Sequence, residues 1–436
     1  MELRVAGGAK KLMGTIQVPG DKSITHRALL LGAMARGSTR LQGALRAGVI
    51  DTMAECLEAL GVMVEPLEEN ETLVHGTKWL SPDRPLVCGN SGTTMRFLLG
   101  ALAGSEVSAT LTGSRRLSQR PMDRVAEPLR RMGAQIAGLN GSDQPPLEVT
   151  GSRLHGIEYE TQVASAQVKS AILLAGLHAE GRTRIREPIA SRDHSERLLR
   201  LLGVSVTSAN GTVTLNPIHT PIPPFELAIP GDISAAAFPI AAALLTPGSE
   251  IMVQNVGLNA TRTGLLDALL RMEAQIETTD ASDSDTEPAG HLLVAASVMR
   301  GIEIRAERVV SMIDEIPILA VIATQAHGDT QIRGAGELRL KESDRLSSMT
   351  AELRKMGAKI EEHRDGLTIQ GPRPLTGARV SSHGDHRVAM ALAVAGMLAS
   401  GETIISSAEV IQESYPGFMA TLHSIGADLW CRSLYS

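Results

Sequence analysis

Aromatic residues are scarce in this chain of 436 residues, where phenylalanine, tyrosine and tryptophan together make up 2%. The core must therefore be built from alanine, leucine, isoleucine, valine and methionine, and platforms for stacking single-stranded nucleic acid are few. A formal net charge of −6 argues against general binding to nucleic acids or to membrane surfaces. Any binding of anions must then depend on cations that are gathered locally.

Cysteine and long apolar runs are also rare. Cys56, Cys88 and Cys431 form no CxxC pair and no metal-ligand spacing, which is the usage expected in a reducing compartment. The apolar runs are shorter than the roughly 20 residues that span a bilayer, and the first residues lack the apolar region of a secretory signal. We therefore expect a cytoplasmic protein, and its length predicts two or more domains.

The chain contains an internal repeat. A helix end, a glycine and a strand follow one another six times, as in Leu129-Arg130-Arg131-Met132-Gly133-Ala134-Gln135-Ile136, and the glycine position falls at 61, 133, 203, 273, 357 and 426. Residue 273 is glutamate instead of glycine. A glycine here fits the left-handed residue that ends a helix. The longest spacing contains an acidic insert at 280–287, which we predict to be a loop.

Each copy also carries an alanine-rich helix upstream of this signature. Because these helices are apolar nearly all round, we expect them to be buried. They are predicted to begin near Lys22, Ser91, Ala166, Ile233, Glu315 and His386, and to close at Gly37, Gly104, Gly181, Gly248, Gly328 and Gly401. Amphipathic helices, such as 122–132 and 345–356, and short strands lie between them.

The opening motif Pro19-Gly20-Asp21-Lys22-Ser23 returns as Pro230-Gly231-Asp232-Ile233-Ser234. We interpret the two copies as crossings between domains. The first domain is then 21–230, inserted into a second domain made of 1–20 and 231–436, with three repeats in each. Buried helices would lie inside and sheets outside, in an α/β fold. One continuous solenoid is the alternative that the repeats leave open.

Charged and polar residues gather where the buried helices begin. Helix N-termini attract anions, and parallel helices would bring their positive ends to one face. The groups in question are Lys22, Ser23 and Arg27; the turn Gly89-Asn90-Ser91-Gly92-Thr93-Thr94-Met95-Arg96; Ser165-Ala166-Gln167-Val168-Lys169; Asp314-Glu315; and Asp385-His386-Arg387. Arg120-Pro121, Arg192-Asp193-His194 and Lys341-Glu342-Ser343-Asp344-Arg345 precede the amphipathic helices.

In this order along the chain, these motifs resemble those of the 5-enolpyruvylshikimate-3-phosphate (EPSP) synthase family. The resemblance covers nearly the whole sequence. It implies a two-domain inside-out α/β barrel of six βαβαββ-type repeats, with the active site in the cleft between the domains. It also implies transfer of the enolpyruvyl group of phosphoenolpyruvate to the 5-hydroxyl of shikimate 3-phosphate. No metal or redox cofactor is implied, and small-molecule substrates are the expected partners of a monomer.

The resemblance also implies roles for individual residues. Phosphoenolpyruvate would be bound by Lys22, Gly92, Arg120, Gln167, Arg345 and Arg387. Shikimate 3-phosphate would be bound by Lys22, Ser23, Arg27, Ser165, Gln167, Arg192, Asp314 and Lys341. Asp314 would be the base at the 5-hydroxyl, while Glu342, together with Lys22, would move the proton at the methylene carbon. Such substrates carry phosphate and carboxylate groups, which arginine and lysine neutralise well.

The chain departs from the family pattern at two places. Glu413 precedes Ser414-Tyr415-Pro416, where some members have lysine, so one phosphoenolpyruvate contact is open. Arg192-Asp193-His194 replaces serine and tyrosine of other members, which indicates a different subgroup. Gly92 leaves room beside phosphoenolpyruvate, so we predict that glyphosate competes there.

Two other functions are possible on the sequence alone. UDP-N-acetylglucosamine enolpyruvyltransferase shares the fold, but it usually has cysteine on the loop that corresponds to 115–120 and asparagine where this chain has Ser23. A repeat protein that serves as a binding scaffold would explain the six units but not the acids gathered with cations. Cys88 and His26 lie near the helix starts, where packing roles are the simpler expectation.

Overall fold

The structure, a computed structural model, describes residues 1–8, 10–68, 70–282 and 286–432. The chain divides into two compact units. The inserted unit comprises 20–229 with 285–287, and the split unit comprises 1–19, 230–284 and 288–436. Across the described ranges, no helix is both long enough and apolar enough to cross a membrane.

Each unit is built around three alanine-rich helices whose residues are almost all buried. Those of the inserted unit are Lys22–Met34, Gly92–Ala103 and Ala166–Gly176. Those of the split unit are Ile233–Leu245, Ile316–Gln325 and His386–Leu398. All six begin within one residue of the predicted position. Small side chains let them pack closely, since a Cβ at Gly100 would overlap the carbonyl of Ala171 on the neighbouring helix.

The predicted closing glycines are correct for one helix only. Gly104 is the C-cap of the helix that ends at Ala103. The other five helices end three to five residues before the predicted glycine. After Met34, for example, Ala35 is already extended, and Gly37 begins the next strand with a positive φ of 122°. In these copies the glycine shapes the turn into the strand and does not end the helix.

A second set of helices is amphipathic and ends as the sequence predicts. Its members are Gly48–Ala59, Asp123–Arg131, His194–Leu201, Gly264–Arg271, Arg345–Lys355 and Phe418–Ser424. The residue at each repeated position has a left-handed backbone, with φ between 70° at Glu273 and 105° at Gly426. The shorter helical segments are Leu117–Gln119, Ala306–Val309, Val310–Glu315, Gly336–Leu340 and Ala408–Glu413.

The described part of the inserted unit contains three four-stranded sheets. In each, the first two strands are parallel and the remaining neighbours are antiparallel. In spatial order the strands are Glu226–Ala228, Gly37–Gln42, Glu71–Gly76 and Met63–Pro66; Leu86–Val87, Ser108–Thr112, Leu147–Thr150 and Gln135–Gly138; and Glu158–Glu160, Thr183–Arg186, Thr212–Leu215 and Val206–Ala209.

The split unit repeats this pattern three times over its described residues. The strands are Met13–Gln17, Glu250–Gly257, Ala289–Ala295 and Gln275–Ser282; Glu303–Ile304, Gly328–Ile332, Gly366–Gly371 and Lys359–His363; and Arg379–Ser381, Glu402–Ser406, Glu2–Ala6 and Leu429–Arg432. The N-terminal strand Glu2–Ala6 thus fills the third place of the last sheet.

The two crossings are visible in the strand pairing. Met13–Gln17 comes just before the first buried helix in the chain, yet it pairs with Glu250–Gly257 in the split unit. Glu226–Ala228 comes just before the helix Ile233–Leu245, yet it pairs with Gly37–Gln42 in the inserted unit. Each unit therefore receives its opening strand from the segment that precedes a crossing.

The acidic insert is only partly the loop that we predict. The strand Gln275–Ser282 extends into it, because the antiparallel pairing with Ala289–Ala295 continues to Ser282 after a register shift. Residues 283–285 lie outside the described residues. The described end of the insert, Thr286 and Glu287, belongs to the inserted unit.

Candidate active-site residues

The first buried helix of the inserted unit begins with Lys22 and Ser23. Asp21 caps this helix, because its Oδ1 accepts a hydrogen bond from Ile24 N at 2.9 Å. Lys22 and Ser23 are half-buried at this end. N–H groups, a partial positive charge and a lysine thus coincide, as a binding site for an anion requires.

Arg27 follows one turn later and is 5% exposed. Its Nε donates to Ser195 Oγ at 2.7 Å, Nη1 to the carbonyl of Ser23 at 2.8 Å, and Nη2 to Ser170 Oγ at 2.8 Å. The guanidinium carbon lies 4.8 Å from the centre of the Phe97 ring. Burial lowers the pKa of Arg27 to about 10, so the side chain keeps its charge at neutral pH. The arginine is fixed in one orientation.

Arg192 lies at the same place. Its Nη1 donates to Ser23 Oγ at 3.5 Å, so Ser23 contacts Arg192 through its hydroxyl and Arg27 through its carbonyl. The structure thus brings together Ser23, Arg27 and Arg192, three of the residues predicted to bind shikimate 3-phosphate. Two cations beside one serine can neutralise a dianionic group such as phosphate.

Two further arginines lie over Gly92, the first residue of the second buried helix. A Cβ at Gly92 would be 2.8 Å from Arg96 Nη1 and 3.3 Å from Arg120 Nη1. Ser91 caps this helix by accepting from Thr94 N at 3.1 Å. Arg120 is a predicted site residue, whereas Arg96 is not. Its position four residues after Gly92, one helical turn on, is the signal that could have identified it.

Gln167 lies beside this arginine pair. Arg96 Nη1 donates to Gln167 Oε1, and Gln167 Nε2 donates to Thr93 Oγ1 at 2.8 Å. Ser165 caps the helix that carries Gln167, accepting from Val168 N at 3.4 Å. The predicted residues Gly92, Arg120 and Gln167 are therefore brought together through Arg96.

Three other side chains near the helix starts have structural surroundings. His26 is buried between the carbonyl of Lys22, at 2.8 Å, and Ser91 Oγ, at 3.4 Å, and burial lowers its pKa to about 3. A hydrogen bond to Cys56 and burial raise the pKa of the Cys88 thiol. Lys169, one of the polar residues at the third helix start, is 2% exposed and pairs with two glutamates. None of these is available as a surface cation or a reactive group at neutral pH.

In the split unit, Arg345 is the centre of a group of acids. Its Nε donates to Asp385 Oδ2 at 2.8 Å, Nη1 to Asp314 Oδ1 at 3.1 Å and Nη2 to Glu342 Oε2 at 2.7 Å. Burial opposes the charge, but Asp385, Glu342 and Asp314 together raise the pKa of Arg345 above its ordinary value. A guanidinium at 2% exposure thus connects the two predicted catalytic acids, Asp314 and Glu342.

Arg387 approaches the same aspartate from a different helix. Its Nη1 donates to the carbonyl of Asp314 at 3.2 Å, and its Nη2 lies 3.7 Å from Asp314 Oδ2. Nη1 is also 3.6 Å from Glu315 Oε1. The structure therefore brings together Asp314, Glu342, Arg345 and Arg387 in this unit. Lys341 is half-buried and directly precedes Glu342, while Glu413 is half-buried at the end of a short 3-10 helix.

A family model described as EPSP synthase (3-phosphoshikimate 1-carboxyvinyltransferase) matches residues 7–422. This chain belongs to the EPSP synthase family. A curated relative from Desulforamulus reducens, named 3-phosphoshikimate 1-carboxyvinyltransferase, is 45% identical over 98% of this chain and 99% of the relative. A relative of the same name from Desulforudis audaxviator is 47% identical, over 96% and 98%.

Solved structures show the same fold. An EPSP synthase from Acinetobacter baumannii superposes with a TM-score of 0.88 at 37% identity, covering 98% of this chain and 99% of that one. The enolpyruvyl transferase NikO from Streptomyces tendae has a TM-score of 0.82 at 19% identity, over 98% of both chains, which supports the fold alone. The predicted two-domain inside-out α/β fold is confirmed.

Proposed function

We propose that this chain transfers the enolpyruvyl group of phosphoenolpyruvate to the 5-hydroxyl of shikimate 3-phosphate and releases phosphate. Membership of the EPSP synthase family over nearly the whole chain is the observation that carries this proposal. The relatives at 44–47% identity are named for this reaction, so the UDP-N-acetylglucosamine reaction is not favoured. A scaffold without catalysis is disfavoured on the same ground.

Shikimate 3-phosphate binds to the inserted unit through Ser23, Arg27 and Arg192. This assignment is supported by the two guanidinium groups that meet at one serine. The remaining contacts to this substrate come from Lys22, Ser165, Gln167, Asp314 and Lys341. The last two of these residues belong to the split unit.

Phosphoenolpyruvate binds through a second set of cations. Arg120 lies over the N-terminus of the helix that begins at Gly92, which supports an anion at that point. The full set of contacts is Lys22, Gly92, Arg120, Gln167, Arg345 and Arg387. Two arginines of the split unit already face carboxylates, and a bound anion would take the place of part of those contacts.

Asp314 removes the proton of the 5-hydroxyl while the hydroxyl oxygen adds to C2 of phosphoenolpyruvate. Glu342, with Lys22, donates a proton to the methylene carbon, and a tetrahedral intermediate results. The C–O bond to phosphate then breaks, the departing phosphate takes up the proton that Asp314 removed, and the methyl carbon returns its proton to Glu342. Asp314 and Glu342 bind neighbouring nitrogens of one guanidinium, which supports two separate proton-transfer roles in one site.

The working enzyme is a cytoplasmic monomer that acts on small molecules and does not bind nucleic acid. The free cysteines among the described residues support a reducing compartment, and the net charge of −6 argues against nucleic-acid binding. The oligomeric state is independent of the proposed reaction, and size-exclusion chromatography tests it.

Phosphate release tests the reaction. The purified protein is mixed with phosphoenolpyruvate and shikimate 3-phosphate, and controls omit the acceptor or replace it with UDP-N-acetylglucosamine. Release only with shikimate 3-phosphate, lost in Asp314→Ala, supports the proposal. Release only with the nucleotide sugar assigns the sister reaction, and no release with either acceptor contradicts the catalytic function.

A further inference from the structure

A buried cluster of three charged residues lies behind the Ser23–Arg27–Arg192 group. Lys169 Nζ is 2.8 Å from Glu187 Oε2 and 2.8 Å from Glu196 Oε1. The three side chains are 2%, 3% and 1% exposed. One cation therefore faces two carboxylates, and one oxygen of each glutamate has no hydrogen-bond partner. These three residues have no role in the proposed reaction.

The cluster holds the backbone of the residue next to Arg192. Ser191 N donates to Glu187 Oε2 at 3.2 Å, and Lys169 Nζ donates to the carbonyl of Ser191 at 3.3 Å. Both polar groups of the Ser191 backbone are thus bound by one ion pair. Because the next residue is Arg192, the ion pair fixes the point from which that arginine extends toward Ser23.

The cluster also reaches Arg27. Ser195 directly precedes Glu196 in the helix His194–Leu201, and its Oγ accepts a hydrogen bond from Arg27 Nε at 2.7 Å. Lys169 is followed by Ser170, whose Oγ accepts from Arg27 Nη2 at 2.8 Å. The two helices that meet at the Lys169–Glu196 pair are therefore the two that hold the Arg27 guanidinium.

Stability alone does not account for a buried cluster of this kind. Replacing buried ion pairs by apolar residues is often neutral or stabilising, because the ions lose their hydration. Here the cost is increased by a second carboxylate and by unpaired oxygens. The benefit of the cluster is geometric, since it fixes both arginines that are predicted to bind shikimate 3-phosphate.

We propose that Lys169, Glu187 and Glu196 are positioning residues, which hold Arg192 and Arg27 for the anionic groups of shikimate 3-phosphate. The inference rests on the proposed function and deepens it. The cluster does not touch the substrate, and the two arginines that it holds are assigned to shikimate 3-phosphate and not to phosphoenolpyruvate. Its loss should therefore weaken shikimate 3-phosphate binding and leave phosphoenolpyruvate binding nearly unchanged.

Three substitutions of one residue provide the test. In Glu187→Gln, the amide oxygen can still accept from Lys169 and Ser191, so both KM values should stay within about two-fold of wild type. In Glu187→Leu the acceptor is lost, and KM for shikimate 3-phosphate should rise about 10- to 100-fold, as expected when a binding group is misplaced. Glu187→Asp keeps the charge but withdraws the oxygens by one methylene, so the same KM should rise, and this variant serves if Glu187→Leu does not fold.

Thermal melting of each variant establishes that the kinetics refer to folded enzyme. The matched control is Glu2→Leu, which removes a carboxylate of 8% exposure from an outer sheet of the split unit and should leave both KM values unchanged. Equal rises of both KM values, no rise in the folded Leu and Asp variants, or a Gln variant as impaired as Leu would overturn the inference. A wild-type protein that releases no phosphate would instead overturn the proposed function.

Discussion

Asp385 Oδ2 accepts a hydrogen bond from Arg345 Nε at 2.8 Å, and the two side chains are 0% and 2% exposed. The same aspartate caps the helix His386–Leu398, because its Oδ1 accepts from Arg387 N at 2.9 Å. One carboxylate therefore orients Arg345 and also starts the helix that carries Arg387. Two predicted phosphoenolpyruvate ligands depend on a residue that is not itself among the predicted site residues.

We expect Asp385→Ala to lower the free energy of unfolding by about 3–5 kcal/mol, because it leaves Arg345 buried without one of its partners. Urea denaturation measures this. The matched control is Asp344→Ala, which removes another aspartate cap, from the helix Arg345–Lys355, at a half-buried position. A lost cap of this kind costs about 1 kcal/mol. Equal losses in the two variants would contradict the structural role given to Asp385.

Asp385 also predicts how stability depends on pH. Burial opposes the shift, but the charge of Arg345 lowers the pKa of Asp385 below its ordinary value. A carboxyl group with a lowered pKa in the folded state stabilises the fold above the unfolded pKa of about 3.9. This stability is lost as the pH falls through the folded pKa.

The unfolding free energy of wild type should therefore decline below about pH 4, and less steeply in Asp385→Asn, which cannot titrate. Urea denaturation from pH 7 down to pH 3 measures both curves. Above pH 6 the difference between the two proteins should be constant. Parallel curves over the whole range would show that Asp385 does not titrate as its contacts indicate.

The six helix starts could be predicted because the signal is local. In five of these helices a capping aspartate or serine directly precedes an apolar run, so local hydrogen bonds decide where the helix begins. The sixth, Ile316–Gln325, has a proline in its first turn instead. The left-handed residues after the amphipathic helices were predictable for the same reason. Even Glu273, which lacks the expected glycine, has a φ of 70°, because the repeat fixes the backbone there.

Features that depend on distant parts of the chain could not be predicted in this way. The strand Glu2–Ala6 pairs with Glu402–Ser406 and Leu429–Arg432, nearly the full length of the chain away. Lys169 looks like a cation at a helix start, yet its partners are Glu187, just after the next strand, and Glu196 in the next helix. The spacing of Arg96 from Gly92 indicates that it lies near the helix start, but it does not indicate that the guanidinium reaches Gln167 on another helix.

The left-handed backbone at Glu273 predicts a stabilising substitution. A side chain with Cβ in this conformation costs about 1–2 kcal/mol relative to glycine. The ion pair of Glu273 with Arg300 is exposed, at 59% and 67%, so its loss costs little. We expect Glu273→Gly to raise the unfolding free energy by about 1 kcal/mol.

Thermal melting and urea denaturation of Glu273→Gly test this expectation. Gly357→Ala is the reverse control, because Gly357 occupies the equivalent position with a φ of 91°. This variant should lose a similar amount of unfolding free energy. Arg300→Ala measures the contribution of the ion pair alone. A Glu273→Gly variant less stable than Arg300→Ala would show that backbone strain at this residue is negligible.

Gly92 predicts a change in inhibition. A Cβ there would approach Arg96 Nη1 to 2.8 Å and Arg120 Nη1 to 3.3 Å, so both guanidinium groups must move. We expect Gly92→Ala to weaken glyphosate inhibition and to raise KM for phosphoenolpyruvate, while KM for shikimate 3-phosphate changes by less than about two-fold. Inhibition curves at fixed shikimate 3-phosphate measure the effect.

The control for this prediction is Gly336→Ala, at a position of the split unit where a Cβ would meet only atoms 3.7 Å or more away. It should leave inhibition and both KM values as in wild type. Glyphosate inhibition unchanged by Gly92→Ala would contradict competition at this glycine. A rise in KM for shikimate 3-phosphate of the same size as that for phosphoenolpyruvate would contradict the assignment of Gly92 to one substrate.

Asp314→Asn tests the proposed base. The amide oxygen can still accept from Arg345 or Arg387, so the arrangement of the arginines is largely kept, but the group can no longer accept a proton. We expect kcat to fall about 10²- to 10⁴-fold, the usual contribution of a general base. Phosphate release in a single turnover should fall as much as the steady-state rate, because the lost step precedes the departure of phosphate.

The control is Asp344→Asn, which keeps the oxygen that caps its helix and lies outside the proposed chemistry, so this variant should retain kcat. If Asp314→Asn keeps more than a tenth of the activity, the 5-hydroxyl proton has another acceptor, and Glu342 on the neighbouring guanidinium nitrogen is the next residue to substitute.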